Sequence, residues 1–297
     1  MKMSKGIILL GLIFVVAFSA QAEDLISKLP ATTKVVAKLN LDRLRKSKFY
    51  ANIEQENLAK LDLAQDKIAE QIGIDLKQVS YVWLAGVKKK EGMLVLKGTF
   101  DTETIREAIS EKPSCQIVDR ENCELAVYVT KRNGRGKDLA VILDEKTMAI
   151  GEPAFVDTFI LTFQGNGNGL AKDKIEKTKV ALAKDALFQG ILLEMPEDQQ
   201  NLLAAAVVNG NATLDVTDKI SCTADITMTN DENAKAATQI ITGLVAMYEL
   251  KQPETFKGEI VKESILKNLK IEQNGSKVNI NGGIGAEVLK QLIGKIK

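Results

Sequence analysis

The chain contains no histidine. That absence removes the ordinary general base near neutral pH, the Ser–His and Cys–His nucleophile pairs and the commonest metal ligand together. Carboxylates, lysines and tyrosines remain available for chemistry. No Cys/His set has zinc spacing, and the oxygen-rich "DREN" and "TNDEN" lack the spacing of a calcium loop, so they read as a turn and a helix cap. Aromatic residues are few, at nine Phe, four Tyr and one Trp, which argues against a sugar-stacking site. Charge of one sign is missing too: 40 basic residues face 39 acidic ones, and a nucleic-acid binder needs a concentrated positive field. Beyond the N-terminus no apolar run approaches the roughly twenty residues of a membrane helix. These absences set the expectation of a non-enzymatic protein with no cofactor, no metal and no nucleic-acid partner.

What is present starts at the N-terminus. Lys2 and Lys5 precede an apolar run from Ile7 to Phe18, followed by Ala20-Gln21-Ala22. A charged region, a short apolar region and an A-x-A site make residues 1–22 a secretory signal peptide, cleaved after Ala22. The reading is therefore a secreted or periplasmic protein with no transmembrane segment after cleavage. Lys2 and Lys5 leave with that segment, so the remainder stays close to neutral.

Export makes the cysteines informative. Cys115 and Cys123 bracket "CQIVDRENC", a β-prone segment, a polar turn and a return strand, and are candidates for a local disulfide. Two reduced thiols on a strand pair are the equal alternative, because register is not visible in sequence. Cys222 alternates with Ile220, Ala224, Ile226 and Met228 and reads as a small core residue.

Sliding the chain against itself reveals a repeat. At an offset of 129, Trp83, Ala85 and Val87 fall on Ala212, Leu214 and Val216, Met93 and Val95 fall on Cys222 and Ala224, and Asp101 falls on Asn230. At 130, Leu139 and Val141 meet Leu269 and Ile271, and Met148 and Ile150 meet Val278 and Ile280. Both copies read as alternating strands, a polar turn and an Asx-capped helix. Upstream, a strand through Val35, Val36, Ala37 and Leu39 matches one from Ile191 to Met195, with Pro196 opening a helix. The first copy carries an extra amphipathic segment near 53–72. The order β-α-β-β-α-β is close to the ferredoxin-like split βαβ pattern. The expected fold is α+β: a tandem duplication with antiparallel sheets and helices on one face. Residues 23–163 form the first repeat, 164–179 a Gly/Asn- and Lys-rich linker, and 180–297 the second repeat.

Within that linker "GNGNG" has neither a Gly-Lys-Ser/Thr ending nor G-x-G-x-x-G spacing, so it reads as a flexible joint rather than a phosphate loop. Basic residues collect at Arg43, Arg45, Lys46 and Lys48, at Lys88, Lys89 and Lys90, and at Lys131, Arg132, Arg135 and Lys137. Solvated turn charges explain them, and contact with an anionic surface through Lys88, Lys89, Lys90, Arg132 and Arg135 is the functional alternative. "SILK", Ser264 to Lys267, matches S-x-x-K without its companion motifs and reads as coincidence in a short alternating segment. The helix "AKAATQIITGLVAMYEL" carries Ile240, Ile241, Leu244, Val245 and Met247. It reads as a core helix, or with "LLAAAVV" as the lining of an apolar pocket.

The stretch "LPATTKVVAKLNLDRLRKSKFYANI" resembles the start of certain uncharacterised secreted bacterial proteins, which implies export and supplies no catalytic residue. The leading expectation is an exported binding or interaction protein of the bacterial envelope, with an envelope protein as partner. The alternatives are a carrier of an apolar, lipid-like small molecule in a cleft between or under the repeats, and an enzyme working through carboxylates or Lys.

Overall fold

A computed structural model of the chain describes residues 25–51, 62–63, 65–66, 73–88, 91–121, 123–130, 136–182, 185–195, 205–217, 219–250 and 256–288. The expected signal peptide, Lys89, Lys90, Arg132, Arg135, the helix start at Pro196 and most of the segment near 53–72 lie outside the described residues.

Runs of alternating apolar residues become strands β1 (Val35–Asn40), β2 (Tyr81–Lys88), β3 (Glu91–Lys97), β4 (Cys115–Val118), β5 (Leu125–Thr130), β6 (Lys137–Asp144), β7 (Thr147–Gly151), β8 (Phe188–Leu192), β9 (Val207–Val216), β10 (Ile220–Met228), β11 (Lys270–Asn274) and β12 (Lys277–Ile284). The helices are α1 (Leu41–Lys46), α2 (Lys48–Ala51), α3 (Thr102–Ser110), α4 (Pro153–Phe163), α5 (Lys172–Ala181), α6 (Asp231–Leu250) and α7 (Phe256–Asn268). Capping follows the sequence. Asp101 accepts from the Glu103 and Thr104 amides to open α3, and Asn230 accepts from the Asn233 amide at 2.8 Å beside α6, each filling a donor the first turn leaves unpaired.

The described strands form one sheet in the order β11-β12-β10-β9-β8-β1-β2-β3-β7-β6-β5-β4. Every neighbouring pair is antiparallel. A split βαβ arrangement makes its first two strands parallel and places the third between them; here β1 and β2 are antiparallel partners and β2 lies between β1 and β3, so the ferredoxin-like order expected from the sequence gives way to strands that mostly lie beside their chain neighbours. The two halves do not make separate sheets: β1 pairs with β8 through Val36–Ile191, Ala37–Gly190 and Lys38–Gln189. From that seam one half runs outward as β1-β2-β3-β7-β6 and the other as β8-β9-β10-β12-β11.

Directly opposed residues share a face and alternate along each strand, so one face is defined by Trp83 and the other by Leu84. On the Trp83 face of the first half, Val36, Trp83, Val95, Leu139, Val141 and Ala149 meet Val156 and Phe159 of α4, with Leu25, Ile26 and Leu29 beside them. On the Leu84 face, Val127, Ile142 and Met148 meet Ile105 and Ile109 of α3. Fully buried side chains such as Phe159 contribute about 1.5–3 kcal/mol each. The second half is different. Ile226, Met228, Val278 and Ile280, on the Leu84 face, meet Ala234 and Ala237 of α6. Its Trp83 face carries Asn211, Thr213, Asp215, Thr223, Asp225 and Asn279, the polar side that an antiparallel sheet can turn outward.

These faces correct the sequence alignment. At offset 129 Trp83 falls on Ala212, yet Ala212 pairs with Gly190, Gly190 with Ala37 and Ala37 with Leu84, which puts Trp83 and Ala212 on opposite faces. The ladders match one residue further on. Leu96 pairs with Met148 as Ile226 pairs with Val278, and the Gly98 amide donates to the Lys146 carbonyl as the Met228 amide donates to that of Ser276. A shift of one residue turns a whole strand over. The second-half strand also starts earlier than expected, at Phe188 rather than Ile191.

The glycine-rich stretch is a fixed joint rather than a tether. Gly165 takes φ +81° at the end of α4, and the Gln164, Gly165 and Asn166 amides close back on Ile160, Thr162 and Leu161 carbonyls, satisfying the helix's last acceptors. Asn168 and Leu170 then bond to Ala31 and Leu29, and the Thr162 hydroxyl donates to the Lys28 carbonyl. Much of the remaining linker is helix α5.

Candidate functional site

Among the described residues, the Leu84 face is covered at both ends of the sheet and uncovered in the middle. One row crosses six strands as Leu94, Leu84, Ala37, Gly190, Ala212 and Ala224. A second runs beside it through Leu39, Phe188, Leu214 and Cys222, and a third through Val35, Leu192 and Gly210. Apart from the Cys222 thiol these three rows hold no polar side chain. Their backbone amides and carbonyls face neighbouring strands within the ladders, so the surface offers an occupant apolar contact and little else.

This surface is open. Leu84 is 45 % and Leu94 39 % exposed, and the seam residues Ala37, Gly190, Ala212 and Ala224 are half-buried and belong to none of the three core clusters. Helix α6 forms one wall. Twenty residues make it about 30 Å long, but its packing is concentrated in the first half, through Ala234, Ala237 and Ile241. Ile240, Leu244, Met247 and Tyr248 stay exposed, Met247 at 62 %. The core role expected of this helix therefore holds for its N-terminal half and fails for its C-terminal half.

Several of the charged residues singled out in the sequence are engaged elsewhere. Arg43 donates from Nε and Nη2 to Asp215, both at 2.7 Å, and from Nη1 to Asp185 at 2.7 Å. Asn40 also donates to Asp185, at 3.3 Å. The guanidinium thus ties the helix after β1 to the end of β9 and the approach to β8, and its hydrogen bond holds the Asp215 carboxyl below the ordinary carboxylate value. Arg45 bonds Asp42 and the carbonyls of Val79 and Leu76. Lys88 pairs with Glu91 at 2.9 Å, while the other four residues of the proposed anionic-surface set are outside the described residues. At the far end of the seam Lys34 and Lys174 both reach Glu194.

Among the described residues these groups assemble no catalytic constellation. Lys38 lies over the Tyr81 and Trp83 rings at 5.0 and 5.7 Å. Burial lowers the pKa of its ammonium, and the field of Asp185 partly opposes the shift. Ser264 and Lys267 sit on α7, a helix rather than the alternating segment expected. Ser264 is buried, with its hydroxyl near the Gly285 amide. Among the described residues no group of three His, Cys, Asp or Glu could hold a metal ion, and no helix is long and apolar enough to cross a membrane. Cys115 stands opposite Val129, while Cys123 lies in the turn before β5 and donates its thiol to the Arg120 carbonyl. Cys115 packs toward the α3 cluster and Cys123 toward the α4 cluster, and both thiols are free.

The apolar floor was not legible in the sequence as a site. Ala37 and Gly190 are unremarkable alone, and only the β1–β8 pairing makes them neighbours.

No protein-family model matches the chain, and no curated protein matches it. Solved structures do. Crystal form III of TP0453 is similar at a TM-score of 0.50 and 12 % identity, over 91 % of this chain and 98 % of that one. Crystal form IV of TP0453 follows at 0.49 and 11 %, over 90 % and 95 %. At such identity the likeness concerns the fold, a mixed helix-and-strand arrangement with an antiparallel sheet.

Proposed function

We propose that this chain is an exported, non-enzymatic binding protein, secreted or periplasmic, whose ligand is an apolar, lipid-like molecule held on the open Leu84 face. Export rests on the signal-peptide pattern of residues 1–22. The two halves are read as diverged copies of one unit, a reading supported by their matching ladder order on either side of the β1–β8 seam. The observation that carries the ligand is the floor itself: three neighbouring rows with no polar side chain but the Cys222 thiol, left open among the described residues between two covered ends. Exposed contiguous apolar surface of this kind marks a binding site far more often than an accident of packing.

A partner protein of the bacterial envelope is the second reading. The exposed Ile240, Leu244 and Met247 on α6 favour it, because residues at i, i+4 and i+7 form one helical stripe. Native mass spectrometry of the exported protein separates the two. A reproducible lipid-sized adduct, removed by organic extraction and restored by added fatty acid, is the expected result. A bare mass before and after addition of fatty acid would overturn the ligand reading.

A further inference from the structure

We infer that Lys38 is a site of covalent capture, its side-chain amine forming an imine with an aldehyde-bearing small molecule on the Trp83 face of the seam. That face is opposite the apolar floor, so the failure of either reading leaves the other intact.

The inference starts from what Lys38 lacks. Its partners across the ladders are Trp83 on β2 and Gln189 on β8, both buried, and a lysine in such a row lays its stem along covered surface. Its Nζ stands 5.0 Å from the centre of the Tyr81 ring and 5.7 Å from that of the Trp83 ring, within the range of a cation–π contact with each. Among the described residues it makes no hydrogen bond and no ion pair. Lys34, Lys88, Lys174 and Lys177, by contrast, each meet a carboxylate.

Competition for carboxylates explains the difference. Asp185, the acidic residue whose field acts on Lys38, gives one oxygen to Arg43 at 2.7 Å and the other to Asn40 at 3.3 Å. Asp215 is held by two prongs of the same guanidinium, and Asp42 pairs with Arg45. The arginines thus take the counter-ions, and Lys38 keeps the ring faces. An ammonium drawn out of water without a counter-ion is disfavoured against the neutral amine. Burial lowers the Lys38 pKa for that reason, with the field of Asp185 opposing. The neutral amine is the nucleophile, and Lys38 is half-buried rather than sealed.

The step needs no oxidant or reductant. The nitrogen lone pair attacks the carbonyl carbon and a C–N bond forms. Both amine protons pass to the carbonyl oxygen, which departs as water and leaves a C=N bond. An aldehyde suits this place better than an acyl donor, because a protonated imine keeps a positive charge over the Tyr81 and Trp83 rings, whereas an amide discards it.

The test uses the full chain and benzaldehyde in less than stoichiometric amount, with imines trapped by borohydride and mapped by peptide mass spectrometry. At pH 7 Lys38 is expected to carry about threefold or more the adduct found at the exposed Lys172 and Lys177. That advantage should narrow at about pH 10, where amines in water lose their protons. Two variants move the share in opposite directions. Arg43→Met frees Asp185 for Lys38 and should lower it, while Asp185→Asn removes the opposing field and should raise it, the second variant serving alone should the first fail to fold. Lys38→Arg, which keeps a cation at this position, should lose this adduct and retain the others. Adducts spread evenly over the lysines, a Lys38 share that does not change with pH, or a share that moves the other way or not at all in the folded variants overturns the inference.

Discussion

Arg43 shows how much one side chain can join. Its guanidinium is 24 % exposed and makes a two-pronged contact with Asp215, the geometry in which a charge-assisted pair is worth most. Replacing Arg43 with Met leaves Asp215 and Asp185 without their common partner, and a loss of about 1–2 kcal/mol in denaturant unfolding is expected. The pH dependence follows from the direction of the shift. Asp215 is held below its ordinary value, chiefly by the Arg43 hydrogen bond. Its contribution is therefore complete above the unfolded carboxylate value near 3.9 and disappears as pH falls through the lower folded value. Asp215→Asn should be less stable than wild type at pH 7 and show a flatter acid limb in a stability–pH series. An unchanged limb would mean that other carboxylates dominate. Gly165 gives a backbone counterpart. No atom stands within 4 Å of a Cβ built there, but φ is +81°, so Gly165→Ala should cost about 1 kcal/mol by conformation alone. Gly169→Ala should cost more, because its Cβ would come within 2.4 Å of the Ser27 carbonyl.

At the scale of elements, the strands were legible because alternation is local. β1 through Val35, Val36 and Leu39, and the β2–β3 hairpin, lie where the pattern put them. Which strand pairs with which was not legible, since the central seam joins residues some 150 positions apart, and no local pattern encodes that. The repeat offset failed by one residue for a related reason: small and apolar residues on both faces of β2 and β3 let the pattern slide. The Cys115–Cys123 pairing depended on register as well. With Cys115 opposite Val129 and the two thiols on different faces, alkylation of the unfolded, unreduced protein is expected to modify all three cysteines. A mass corresponding to one modified cysteine would contradict the register of β4 and β5. Helix α6 has its own test. Leu244→Ser should change stability by no more than about 0.5 kcal/mol, as at an exposed site. Ala237→Leu, at a position 3 % exposed, should cost about 1–3 kcal/mol by overpacking.

The whole molecule is one sheet with an asymmetry of covering. The first half is apolar on both faces, covered on the Trp83 face and, on the Leu84 face, covered by α3 over its outer strands but exposed at Leu84 and Leu94. In the second, β9, β10 and β12 are apolar on the Leu84 face and polar on the other, and among the described residues the Leu84 face is left open across the seam between α3 and α6. A binding surface made by joining two halves has no signature within either half, which is why the sequence offered a cleft between or under the repeats only as an alternative and without a residue to name. The central claim is that an apolar chain rests there. Photo-crosslinking tests it most directly, with a long-chain fatty acid carrying a diazirine at mid-chain and the adducts mapped by peptide mass spectrometry. Adducts on β1, β8, β9 and β10 at Leu84-face positions, lost on competition with unlabelled fatty acid, are the expected result. Competable adducts confined to the polar face or to surfaces away from the seam, or no competable adduct at all, would contradict it.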